Sequence, residues 1–143
     1  MTKDEVLTFI KGKKLAVIST SGSDKQPESA LIGFGETDNF ELIFGTYKTT
    51  RKYKNLKKNN KVAFVIGWDE NNITVQYEGT ASVLEDSDIE KYVTLYHEKV
   101  PDASKFKLHP DQTYWMVKPK WVRYSDLSGD EEKVIEFTFK ANS

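Results

Sequence analysis

Thr49-Thr50-Arg51-Lys52 places two hydroxyl side chains directly before two cations. That set of groups can hold one small anion. The hydroxyls donate hydrogen bonds, a guanidinium grips a phosphate through two parallel N–H bonds, and an ammonium acts as a point charge. Tyr53 and Leu56 then fall on one face at helical spacing, with lysines over the other faces. A helix is expected from Thr49 to Lys58, stopped by Asn59 and Asn60. Its first backbone N–H groups have no partner inside the helix, and the positive end of the helix dipole lies beside them. Bases in a first turn oppose that dipole by a few tenths to about 1 kcal/mol each. Arg51 and Lys52 therefore imply a negative partner, read here as a phosphate. Lys54, Lys57, Lys58 and Lys61 read as a solvated face and a complement to the helix C-terminus.

The charge distribution supports a local site. No Asp or Glu lies between Glu41 and Asp69, whereas seven of the 21 Lys and Arg do. The other 14 bases are set against all 22 acids, so a +7 segment sits on a −8 body. Nucleic-acid binding asks for a basic face, and no nucleic-acid partner is expected. His97 and His109 stand apart from any acid pair at metal spacing, so no metal site is expected; His97 is placed near the last-turn carbonyls of a helix. Ser19, Ser21 and Ser23 lie in a turn without a Gly-x-Ser-x-Gly elbow. The segment GTYKTTRK (45–52) departs from the P-loop pattern, and the chain has no GxGxxG.

The elements that must position these residues follow from pattern. A first helix, capped by Thr2 or Asp4, carries an apolar stripe of Val6, Leu7, Phe9 and Ile10 and ends at Gly12. Residues 15–20, 28–35 and 40–44 read as three strands of a meander, separated by the turn formers of 21–27 and 37–39. After the basic helix come strands at 61–67 and 73–84, joined by a turn at 69–72. In the second of these, Val75, Tyr77 and Gly79 alternate with Thr74, Gln76 and Glu78. A helix capped by Asp86 or Ser87 runs to about Glu98, and Pro101 and Pro110 bracket an irregular link. Residues 112–124 form a strand with an edge or bulge at Pro119. Residues 133–139 form a last strand or a tail that docks on a partner. Six or seven strands, mostly joined by turns, imply an antiparallel sheet closed into a barrel or split into a sandwich.

At 143 residues the chain reads as one domain, residues 1–143. No apolar run approaches the roughly 20 residues that span a membrane, so no membrane partner is expected. The N-terminus lacks the unbroken apolar run of a signal peptide. Together with the absence of cysteine, this points to a cytoplasmic protein.

The order strand, Thr46 to Thr50-Arg51-Lys52, a helix with Tyr53 and Leu56, Asn60, then a strand starting Val62-Ala63 resembles the pyridoxamine 5'-phosphate oxidase-like family of flavin-binding split β-barrels. Its general-stress-protein branch is included in that likeness. Residues 77–81 and 117–124 resemble two further strands of the family, and the likeness spans about residues 3–125. The resemblance implies a mainly β fold with added helices: an antiparallel split barrel of six to seven strands with peripheral helices. It also implies a homodimer with FMN at the interface and a small-molecule substrate. The FMN phosphate would meet Thr50, Arg51 and Lys52, beside Thr49. Thr46 would lie near the flavin ring or ribityl chain. Ser29, Ala30, Leu31 and Ile32 would run along the isoalloxazine. Thr74 holds the position from which the family sends a polar side chain to the partner's cofactor, with Gln76 two residues on. Trp121 lies in a strand near the cofactor, whereas Trp68 and Trp115 read as core or interface. The implied activity is an FMN-dependent oxidoreductase. The C-terminal Arg and His that bind pyridoxal phosphate in the full oxidases have no counterpart in this sequence, so vitamin B6 oxidation is not the expected task. The alternatives are a flavin-binding stress-response protein with little turnover, or the same fold with a deazaflavin or haem.

Overall fold

The computed structural model describes residues 1–69 and 71–140. Glu70, in the expected 69–72 turn, and residues 141–143 lie outside the described residues. The element order is α1 (Lys3–Lys11), β1 (Leu15–Ser21), β2 (Pro27–Gly33), β3 (Gly35–Glu36), β4 (Leu42–Tyr47), α2 (Arg51–Lys58), β5 (Lys61–Gly67), β6 (Ile73–Val83), α3 (Asp86–Lys99), a 3-10 segment (Pro101–Phe106), β7 (Gln112–Asp126) and β8 (Lys133–Thr138).

Among the described residues, every strand pairing is antiparallel. The strands run in the order β2-β1-β5-β6-β7-β4-β3, with β8 also on β7. The sheet curls into a half-barrel, the split barrel that the sequence pattern resembles. β7 is long enough to change partners along one edge. Gln112 to Val117 pair with β4, and Trp121 to Asp126 pair with β8. Pro119 stands at the changeover, opposite Gly79, where the register shifts and Lys120 of β7 is left without a partner on β6. A proline has no N–H to give the ladder, and that irregular step is where one is tolerated. Gly79 is required there, because a Cβ would lie 2.4 Å from the Lys118 carbonyl oxygen.

Period-two alternation builds the core. Val62, Phe64 and Ile66 of β5 and Val75, Tyr77 and Ala81 of β6 point inward with Phe44 and Val117. The Tyr77 hydroxyl is buried and donates to the Phe40 carbonyl at 2.7 Å. Helix α1 adds Val6, Leu7 and Ile10 to this core. A second apolar cluster forms where Val93 and Tyr96 of α3 meet Ile43 and Tyr114.

Four details differ from the pattern reading. The expected strand at 28–35 is interrupted at buried Phe34, whose N–H bonds the Lys14 carbonyl, so β3 is separate. The strand expected at 40–44 begins at Leu42, because Phe40 closes a turn with φ of 64°. Helix α3 starts after Glu85, without a side-chain cap from Asp86 or Ser87. With β3 counted, there are eight strands among the described residues.

Candidate anion and cofactor site

Thr50 is the N-cap of α2. Its Oγ1 accepts the Tyr53 N–H at 3.2 Å, and its hydroxyl stands 2.7 Å from that of Thr46 at the end of β4. Thr46 is itself buried, and its carbonyl accepts from the Thr113 hydroxyl at 2.6 Å. The threonine pair is therefore fixed by β4, β7 and the helix cap together. A hydroxyl held this way is oriented before any ligand arrives.

Two cavities meet at this point. One, of about 410 Å³, is walled by Ile18, Thr20, Glu28, Ser29, Ala30, Thr49, Thr50, Arg51 and Lys52. The other, of about 480 Å³, runs from Thr46, Thr50 and Lys52 past Ile32 and Gly33 to Tyr96, Phe106 and Gln112. Thr50 and Lys52 belong to both. A larger depression, of about 930 Å³, lies elsewhere on the molecule, but it contains neither of these residues. The site is placed here by its chemistry.

The two cations are in different states. Arg51 is 78% exposed and pairs with Glu28 of β2. The other Glu28 oxygen accepts from Asn55 Nδ2 at 2.7 Å, and Asn55 also reaches the buried Thr20 hydroxyl at 3.0 Å. The negative partner implied by the basic first turn is thus in part the protein's own. Lys52 is half-buried, and among the described residues no carboxylate pairs with it. Burial lowers its pKa, because desolvation disfavours the ammonium. A desolvated cation beside two hydroxyls and a helix N-terminus has a strong field for an anion.

The expected residues divide into two groups. Ser29, Ala30, Ile32, Thr46, Thr49, Thr50, Arg51 and Lys52 line the two cavities. Leu31 points away from them and is 67% exposed. Thr74 and Gln76 lie on the outward face of β6, opposite Gly67 and Val65 of β5. Trp121 lies on the same outward side of β7, and its Nε1 donates to Glu136 of β8 at 2.8 Å. Thr74, Gln76 and Trp121 line neither cavity. Trp115 is buried and donates to the Thr113 hydroxyl at 3.0 Å, whereas Trp68 is exposed.

Glu28, Gln112, Tyr47 and Phe106 complete the walls, with Asn55 behind them as the partner of Glu28 and Thr20, and none of these was read from the sequence. Asn55 had a signal, since asparagine is a poor helix former inside a lysine-rich turn. Gln112 had none, although its Oε1 is buried without a hydrogen-bond partner. His97 approaches the Tyr114 hydroxyl at 3.5 Å, with its pKa lowered by burial and then by Lys107. His109 stacks on Tyr47 at 4.1 Å between ring centres. Neither histidine lines the two cavities.

A family model described as pyridoxamine 5'-phosphate oxidase matches residues 2–126. The chain belongs to the pyridoxamine 5'-phosphate oxidase family. No curated protein matches the sequence. Among solved structures, a heme binding protein from Mycobacterium smegmatis is similar with a TM-score of 0.81 and 14% identity. That likeness covers 94% of this chain and 56% of the other, so the chain spans little more than half of that protein's length. A pyridoxamine 5'-phosphate oxidase-related, FMN binding protein from Nostoc punctiforme has a TM-score of 0.74 and 10% identity, covering 97% of each chain. A protein related to general stress protein 26, from Clostridium acetobutylicum, has a TM-score of 0.73 and 21% identity, covering 94% of this chain and 92% of the other. At these identities the likeness shows the fold alone. Among the described residues, no helix is long and apolar enough to cross a membrane.

Proposed function

We propose that this member of the family binds FMN and serves as a flavin-dependent oxidoreductase on a small molecule. The observation that carries the reading is Lys52, a desolvated cation with no carboxylate partner among the described residues, set beside the paired Thr46 and Thr50 hydroxyls where two cavities join. A phosphate monoester fits these donors. Thr50, Arg51 and Lys52 would hold the phosphate, with Thr49 beside them. Thr46, Ser29, Ala30, Ile32 and the larger cavity would receive the sugar-alcohol chain and ring, along the strand that also carries Leu31. When bound, the flavin supplies two-electron redox chemistry that no side chain of this site offers. The protein's part is to anchor the anion, orient the ring and shed water from the cavity.

The same reading treats residues 1–143 as one cytoplasmic domain that works as a homodimer. Leu15, Val17, Leu31 and Val65 are exposed and share the outward face of β1, β2 and β5, in register at Val17↔Leu31 and Val17↔Val65. A contiguous apolar patch of this kind marks an interface. Thr74, Gln76 and Trp121 lie on the continuation of that face, from which a second copy would present them to the cofactor.

Haem is the second reading, favoured by the heme binding protein from Mycobacterium smegmatis among the similar structures. It fits these cavities less well, because neither histidine reaches them. Parallel titrations with FMN, riboflavin and haem test the choice. The proposal expects FMN to bind well ahead of riboflavin, because the phosphate is gripped. Haem binding without FMN binding contradicts it. Turnover of a reduced nicotinamide by the FMN-loaded protein separates an oxidoreductase from a flavin-binding stress protein with little turnover.

A further inference from the structure

The phosphate-facing cavity contains a carboxylate of its own. Glu28 lines it together with Arg51 and Lys52. Its side chain is 21% exposed, and both oxygens are engaged, one by Asn55 Nδ2 at 2.7 Å and the other by Arg51. The hairpin register holds it in place, since Glu28 lies opposite Thr20, whose hydroxyl also accepts from Asn55. A carboxylate fixed on both oxygens cannot swing out to solvent without giving up the Asn55 bond. An anion arriving in this cavity therefore meets a like charge and finds Arg51 already neutralised.

Resting on the phosphate-anchor reading above, we propose that Glu28 is a resident counter-anion. It competes with the incoming phosphoryl group for Arg51 and so determines how much affinity the phosphate supplies. The exposure of Arg51 sets the direction of the effect. At 78% exposed, Arg51 is not held by packing, so removing Glu28 frees its fork more than it disorders it. Lys52, which has no such partner, is left as the main cation for the ligand.

The test is Glu28→Gln, which keeps an oxygen for Asn55 and removes the charge, with Glu28→Asp as the charge-conserving control. FMN, riboflavin and inorganic phosphate are titrated separately by calorimetry. We expect Glu28→Gln to bind FMN and inorganic phosphate about threefold more tightly, the scale of one exposed ion pair. Riboflavin binding should be unchanged, and Glu28→Asp should match the wild type. If the wild type binds FMN and Glu28→Gln binds it equally or more weakly, Glu28 positions Arg51 instead, and the inference is overturned while the flavin reading stands. If FMN fails to bind the wild type but inorganic phosphate binds and tightens in Glu28→Gln, the flavin reading falls and the counter-anion stands. Absence of both FMN binding and phosphate binding in the wild type and in Glu28→Gln overturns both. Glu28→Ser, which retains an oxygen on the strand, is read in the same way should Glu28→Gln fail to fold.

Discussion

Replacing Lys52 with methionine should weaken FMN binding and stabilise the ligand-free protein at once. The two effects share one cause. Burial lowers the Lys52 pKa, so the folded protein pays to keep that ammonium charged. The folded-state value lies below the unfolded one, so the folded state binds fewer protons between the two, and stability rises with pH through that window. The penalty is fully present at neutral pH, and methionine removes it while keeping the apolar stem. The wild type should therefore melt lower than Lys52→Met at neutral pH, with the gap closing as pH rises toward the ordinary lysine range. A charge-assisted bond to a phosphate is worth about 1.5–3 kcal/mol, or roughly 10- to 100-fold in affinity. Arg51 is exposed and already paired with Glu28, so Arg51→Ala should lose less, on the order of two- to fivefold. Quenching of flavin fluorescence gives the affinities, with riboflavin as the control that lacks the phosphate, and calorimetric melting gives the stabilities. The reasoning is refuted if Lys52→Met melts clearly lower than the wild type. It is also refuted if Arg51→Ala loses more FMN affinity than Lys52→Met.

Thr50→Ala removes the cap of α2 and the partner of the Thr46 hydroxyl. It should cost about 1 kcal/mol in urea unfolding and weaken FMN more than riboflavin. Lys99 bonds Glu36 at 2.6 Å and the Ile10 carbonyl at 3.1 Å, with both charged side chains largely buried. Lys99→Met strands a buried carboxylate and should cost about 3 kcal/mol, whereas Lys57→Met on the exposed face of α2 should change stability little. The buried Tyr77 phenol has a pKa well above the usual value, through burial first and then Glu41. Its contribution is complete below the unfolded value and is lost as pH rises through it. Tyr77→Phe should therefore flatten the alkaline limb of the stability curve and cost about 1–3 kcal/mol at neutral pH, since the Phe40 carbonyl loses its donor.

Local rules carried much of this structure. The hydroxyl and charge pattern at Thr49-Thr50-Arg51-Lys52 placed the helix start within two residues, at Thr49 against the observed Arg51, because capping is decided within four residues. Alternation gave the inward faces of β5 and β6, because burial on one side imposes a period of two. Contacts between distant segments were not legible. Nothing near Arg51 announces Glu28, which arrives through the β1–β2 hairpin and its register with Thr20. The basic first turn suggested a negative partner, read as a phosphate, and the local pattern could not say that the chain brings a carboxylate of its own to Arg51. The bond from the Trp121 indole N–H to Glu136 was not legible either, because β8 supplies that partner from 15 residues on. Gln112 takes its place in the cavity wall only because β7 pairs with β4. Phe40 reads as a strand residue by type, yet the turn that closes β4 holds it at positive φ.

The measurement that tests the central claim most directly is gel filtration of the protein after incubation with FMN, with absorption recorded across the peak. The account predicts flavin bands eluting with a dimer, and loss of those bands in Lys52→Met. A colourless monomer peak, with all the FMN eluting as free ligand, would contradict it.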